Sequence, residues 1–418
     1  MTSLALQAVG ATRVLEGASA VTLSPGRRAA ILSLVAVPAL AVISAWNPSP
    51  LNTAIAQMAA FLLASICVVA QITRPGLCKT SLLSLSAAAL PAVGCLQLAV
   101  MQPAYRFATS QATLYWAAVA AIIFAGECLL DSREARSFVL SAVVYLGLMA
   151  TVLEVIQVYA YGRYEVTSTG YPLLSSNYYA EVIEIILPIV LTRAFREHRT
   201  WWAYLLVACI FVSTVVAAAA RVGSVLVLVE SAVVIALSYR GSPFIRRRWR
   251  SACTVFVLLT GALIIVQGPV TLVHRLREPD PLSVRPDLTR SAMSMIHQRP
   301  LTGYGLGSFP VVYPAFARFD NGYFVNHAHN DFLEALVDGG PLFLVALASF
   351  LLASGYAATR VTWAVGLVAL PFHAAVDFPL QRSGIVMLYA LVASAAAAKL
   401  RRPVTSYIIG SWSLPLCK

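Results

Sequence analysis

Long apolar runs, close to helix length and without two-residue alternation, recur along almost the whole chain. The hydrocarbon core of a bilayer is about 30 Å thick, so a spanning helix needs roughly 20 apolar residues. In lipid every backbone polar group needs an internal partner, which leaves helices or closed barrels. Runs of this length without alternation select helices. The pattern predicts twelve spans, near 29–46, 51–72, 81–100, 112–130, 137–159, 177–194, 201–220, 222–238, 251–268, 332–356, 361–378 and 383–398. The seventh and eighth almost touch at Arg221, and the eleventh contains Pro371 and Asp377. The chain therefore divides into a cytoplasmic segment 1–28, nine spans over 29–268, and a long outer loop 269–331. Three spans over 332–398 and a cytoplasmic tail 399–418 complete it. No internal repeat is visible.

Composition agrees with that reading. Hydrophobic residues make up 59% of the chain and charged residues 11%, whereas soluble domains run nearer 25% charged. The fold class is all-α, a polytopic helical membrane protein. Residues 1–26 are not hydrophobic, and the first apolar run follows Arg27 and Arg28 like an uncleaved anchor. Seven scattered cysteines with no C-x-x-C pair indicate neither a disulfide framework nor a zinc site.

The net charge of +12 invites a nucleic-acid reading, but its distribution excludes one. With the N-terminus inside, the inner segments hold 20 of the 30 basic residues and the short outer loops hold only Arg106, Arg163, Arg221 and Arg382. That asymmetry is the positive-inside pattern. The run Arg246-Arg247-Arg248-Trp249-Arg250 is then a cytoplasmic anchor facing anionic lipid. The other six, Arg275, Arg277, Arg285, Arg290, Arg299 and Arg318, lie in the long outer loop. There a phosphate-bearing lipid is an obvious anion for them to meet.

The loop itself carries the chemistry. Leu288, Ala292, Met295 and Ile296 form a helical apolar stripe, which predicts a short amphipathic helix on the outer membrane face. The glycine-rich stretch 303–309 lacks a preceding strand, so it reads as a tight reversal rather than a nucleotide site. No cofactor motif is legible. Asp331 and Glu334 have capping-box spacing, so the tenth span starts near Asp331 with His329 and Asn330 at its N-terminus. An imidazole there is a candidate general base. His327 and His329 could instead share a metal, but no well-spaced third ligand is visible, so no metal is expected. Arg221 sits where two apolar spans meet, and its fork suits an internal anion; snorkelling to the interface is the alternative. Glu181 and Glu184 share one helix face one turn into the sixth span, near the outer surface.

Taken in order, Arg221-Val-Gly-Ser224, Ser176-Asn-Tyr-Tyr-Ala180, the stretch 285–309 and the stretch 329–340 resemble the O-antigen ligase and polymerase-like superfamily. The segment 373–381 resembles a stretch seen in polysaccharide-polymerising members. The resemblance implies a helical bundle similar to the C-type glycosyltransferases. It implies transfer of a glycan from an undecaprenyl-pyrophosphate carrier to an acceptor hydroxyl, at the periplasmic side of a bacterial inner membrane and without a metal. The acceptor would be lipid A-core or a growing glycan. By the same resemblance His329 is the catalytic base and Arg221 and Arg285 bind the donor. Asn330, Asn177 and His327 are further substrate-binding candidates, with Glu181, Glu184 and Asp338 as supporting carboxylates. Asp338 stands where a Glu is usual and Thr289 where a Trp is common. Ligation is the first expectation and polymerisation the second. A secondary transporter is the rival class, and it would predict a repeat relating two halves.

Overall fold

A computed structural model describes residues 25–44, 49–73, 80–160, 176–197, 199–241, 243–267, 285–318 and 324–400. The segment 1–24, Arg163, the loop residues Arg275 and Arg277, and the tail 401–418 lie outside the described residues.

The described residues are helical throughout, without a strand. In chain order the helices are α1 (Pro25–Ile43), α2 (Pro50–Thr73), α3 (Leu82–Leu96, extended by a π turn Gln97–Met101), α4 (Arg106–Leu129) and α5 (Arg133–Ala160). Then come α6 (Ser176–Arg196), α7 (Trp201–Ala217), α8 (Arg221–Gly241) and α9 (Pro243–Gln267). The short α10 (Arg285–Gln298) and α11 (Phe309–Val312) precede α12 (Asp331–Arg360), α13 (Gly366–Ala374) and α14 (Ser383–Leu400). Each predicted span has its helix. Among the described residues nine are long and apolar enough to cross a membrane. The α7 helix is shorter than that, and α13 with its 3₁₀ lead-in runs only from Thr362 to Ala374. The fourth and ninth helices begin well before their predicted spans, at Arg106 and Pro243, whereas the eleventh falls short of its own. Its helix stops at Ala374, and Asp377 lies in the turn beyond.

Two helices form the centre. Nearly every side chain of α6 and α14 is buried. The α6 helix packs against α5, α7, α8 and α13, while α14 packs against α1, α4 and α12. Lipid-facing helices such as α2 and α9 leave Leu62, Ile66, Leu258 and Val266 exposed, as expected where the surrounding solvent is apolar.

The amphipathic α10 corrects one expectation. Leu288, Ala292 and Met295 are buried in a second cluster with Tyr304, Phe309, Tyr313, Ala328 and Val337. The apolar stripe therefore faces the protein and α12 rather than a membrane surface. The loop offered it a hydrophobic partner that periodicity alone cannot reveal.

The glycine-rich reversal locks onto a break in α12. Gly340 departs from helical geometry with φ 62°. A Cβ there would stand 2.4 Å from the Leu301 carbonyl oxygen. The Tyr304 amide donates to the Val337 carbonyl at 2.9 Å and the Gly305 amide to the Asp338 carbonyl at 2.8 Å. Buried Gln97 completes the seam, donating to the Asp338 carbonyl at 2.9 Å and accepting from the Leu306 amide at 3.0 Å. Gly340→Ala is expected to destabilise the detergent-solubilised protein by about 1–3 kcal/mol, the cost of a strained residue at positive φ. Gly355→Ala, at a site with nothing within 4 Å, is expected to leave the melting curve unchanged or raised. Equal effects of the two would remove the seam's importance.

Candidate functional site

One end of the bundle gathers the polar groups that the apolar helices otherwise avoid. Asn330 is the N-cap of α12, its side chain accepting from the Leu333 amide at 3.0 Å. The cap is therefore Asn330 rather than Asp331, and with Leu333 at the third helical position the expected capping box does not form. Asp331 instead turns inward and accepts from the Leu380 amide at 2.8 Å. Glu334 reaches back to the Ala328 amide at 2.8 Å and to His327 Nδ1 at 2.9 Å. Just before the cap, His329 lies in the left-handed region with φ 53°. Histidine tolerates that region better than most residues, and such backbone clusters where a side chain is aimed for a task.

The aim is at Asp377. His329 Nδ1 lies 3.2 Å from Asp377 Oδ1. The Asn177 side-chain amide, from the start of α6, donates to Asp377 Oδ2. Arg382 Nη2 stands 4.0 Å from the same oxygen. The Asp377 side chain is 2% exposed, while that of His329 is 39% exposed. Burial by itself would raise the Asp377 carboxyl's pKa. The His329 contact and the nearby Arg382 guanidinium outweigh it and hold the carboxyl well below the ordinary range. A charged carboxylate on Nδ1 selects the tautomer with the proton there, leaving Nε2 as the basic nitrogen. Phe378 wedges the assembly, stacked on His327 at 4.5 Å and edge-on to His329 at 4.9 Å between ring centroids.

A second tier lies beneath. Arg382 donates to Glu181, and burial of its cation is more than offset by Glu181 and Asp377. His373, wholly buried, bonds Glu184 at 2.8 Å and stands 3.9 Å from Glu181. Glu181, His373 and Asp377 bring ligand atoms within 4.8 Å of one another, a set able to hold a divalent ion. The Arg382 guanidinium already brings positive charge to both carboxylates of that set.

The other expected residues are placed as follows. Glu181 and Glu184 do point to this end, where they meet Arg382 and His373. Asp338 does not join His329. It is buried two turns into α12 and accepts from the Gly307 amide at 2.8 Å, so it anchors the glycine-rich turn. Arg221 is the first residue of α8, which reverses from α7 through Ala219 at φ 60°. Two residues on, a Cβ at Gly223 would meet Ala180 Cβ at 2.4 Å and Glu184 Oε1 at 3.3 Å. The glycine thus seats the start of α8 against α6, and Arg221 with it. Arg285 opens α10, half-buried beside α12. The pattern of apolar runs missed Asp377, Arg382 and His373 as partners. The segment 373–381, noted for its resemblance, contains two of them.

Residues 199–351 match the family model described as O-antigen ligase. That stretch is therefore similar to the family, and the similarity supports a glycosyltransferase of the O-antigen ligase and polymerase kind. No curated protein matches the chain. The match contains Arg221, Arg285 and His329, whereas Asn177, His373, Asp377 and Arg382 lie outside it.

Asp377 also gives the site an acid dependence. Its folded carboxyl titrates below its unfolded value, so its stabilisation is complete above the ordinary carboxylate pKa and is lost as pH falls towards the depressed one. Melting temperatures measured from about pH 5 down to about pH 3, the range that brackets an unperturbed Asp, are expected to fall for the wild type. They should fall less for Asp377→Asn, and parallel curves would show that the carboxylate is not held low.

Proposed function

We propose that this chain is an inner-membrane enzyme that moves a glycan from an undecaprenyl-pyrophosphate carrier to an acceptor hydroxyl at the periplasmic face, as a ligase. The observation that carries this reading is the His329 ring, fixed through Nδ1 by a buried carboxylate and 39% exposed on its remaining side. The twenty-against-four distribution of basic residues supports an outward-facing site, as does a bundle able to cross a membrane.

The donor already carries a good leaving group, so the protein needs little covalent chemistry. His329 Nε2 takes the proton of the acceptor hydroxyl as that oxygen bonds the anomeric carbon. The bond from that carbon to the pyrophosphate oxygen breaks, the electron pair leaves with the undecaprenyl pyrophosphate, and the anomeric configuration inverts. Arg221 and Arg285 meet the charge growing on the departing phosphate, where a fixed cation stabilises the transition state more than the ground state. Asn330 and His327 flank His329 but are bound to Leu333 and Glu334, so they shape the site rather than grip the sugar. Asn177 orients Asp377. The prenyl tail lies in the bilayer beside the apolar helices. Lipid A-core is the acceptor of the ligase reading. Polymerisation onto a growing glycan is the second reading, favoured by the 373–381 stretch, which supplies His373 and Asp377.

His329→Ala is expected to insert normally and to lose roughly 10²–10⁴-fold in transfer rate, the range of a general base. Near-normal glycan on the acceptor in a complemented deletion strain would refute the base assignment. Arg221→Lys is expected to cost roughly tenfold or more, because an ammonium cannot replace the fork; full activity would leave Arg221 a mere interfacial anchor. Gels of surface polysaccharide from the deletion strain separate the two readings. Long chains still on the carrier indicate a ligase, and single-repeat products indicate a polymerase.

A further inference from the structure

We propose that Arg382 is a positioning residue for the His329–Asp377 pair, held in place from below by the buried chain Glu181, His373, Glu184. The inference rests on the reading of His329 as base. Arg382 touches both groups that fix His329. Its Nη2 faces Asp377 at 4.0 Å, and its guanidinium carbon lies 4.3 Å above the Phe378 ring, the ring that His329 meets edge-on. Its other arm is committed to Glu181. Both ends of the guanidinium are thus turned to acidic groups of the protein.

The tier below explains why the side chain stays there. Glu181, Glu184 and His373 are each 0% exposed. His373 bridges the two glutamates, at 2.8 Å from Glu184 and 3.9 Å from Glu181. Acidic and basic groups alternate from Glu184 to Asp377, so each carboxylate has a basic neighbour and each basic group two acidic ones. Removing one member leaves a buried charge uncompensated. The Arg382 guanidinium supplies positive charge to Glu181 and Asp377, two of the three groups able to hold a divalent ion.

The test uses the full-length protein in native membranes, with an undecaprenyl-pyrophosphate-linked glycan as donor. Arg382→Gln is expected to lower kcat roughly 10–100-fold, the scale seen when partners that orient a functional histidine are removed, with KM unchanged. Arg382→Lys should retain part of the rate with the same unchanged KM, and it carries the test if the glutamine variant does not accumulate in the membrane. Asp377→Asn combined with Arg382→Gln should be no slower than Asp377→Asn alone, because both act through one imidazole. A raised KM with unchanged kcat would overturn the proposal by making Arg382 a substrate contact. So would independent, multiplying effects of the two substitutions. Loss of wild-type activity in EDTA, restored by manganese, would overturn it by giving Glu181 and Asp377 to a metal instead of to Arg382. Wild-type activity in His329→Ala would defeat the base reading itself. An inactive His329→Ala beside a fully active Arg382→Gln would defeat only the role of Arg382.

Discussion

The Asp377 carboxylate is the constraint on which this end of the bundle depends. A buried carboxylate without partners is costly enough that it would protonate or drag the chain open. Here His329 and Asn177 contact it and Arg382 stands close, each delivered by a different segment. Meeting that requirement fixes the start of α6 and the approach to α12. It also fixes the turn that leads into α14. The Asp331 bond to the Leu380 amide ties the same turn to α12 from the other side. Position and charge are thus satisfied by one set of bonds, and the imidazole inherits its orientation from them.

The α12 helix is held twice. Its N-terminus is capped by Asn330 and fastened through Asp331 and Glu334. Two turns later the Gly340 break receives the glycine-rich loop, with Asp338 and Gln97 supplying the polar contacts. A helix pinned at both places cannot slide along its axis without breaking one seam. The left-handed backbone at His329 sits between an anchored loop and an anchored helix, the setting in which local strain persists.

The helices were legible because apolar runs of that length have few other solutions in a bilayer. His329 and Asn177 were legible through motifs close in sequence to their helix starts. Asp377 was hidden for a definite reason. Hydropathy carried the eleventh span through residue 378, so its carboxylate read as an acid inside a span rather than as a turn residue. Its partners lie 48 and 200 positions away, and periodicity reports nothing at such separations. Arg382 was counted only as a charge in a short outer loop. Asp338, expected as a supporting carboxylate, is carried by two helical turns to the glycine loop instead. The stripe on α10 was read correctly as apolar and wrongly as lipid-facing, since a stripe names a face and not its partner.

The direction of the helices adds a field to these local contacts. The α6, α8, α12 and α14 helices all begin at the end that holds His329. Each helix N-terminus carries the equivalent of about half a positive charge, so several such ends raise the potential of one small region. The acids there are the natural counterweight, and they are already engaged by Arg382, His373, Asn177 and backbone amides. An anion arriving at this end therefore meets oriented helix amides more than it meets bare carboxylates. On the proposed reading that anion is a pyrophosphate, whose charge grows as the glycosyl bond breaks. The field is in place before the reaction starts, so little reorganisation is needed when the charge appears. A transporter for a neutral solute would gain nothing from that field. A transferase with a phosphate leaving group gains from it at the step that limits its chemistry.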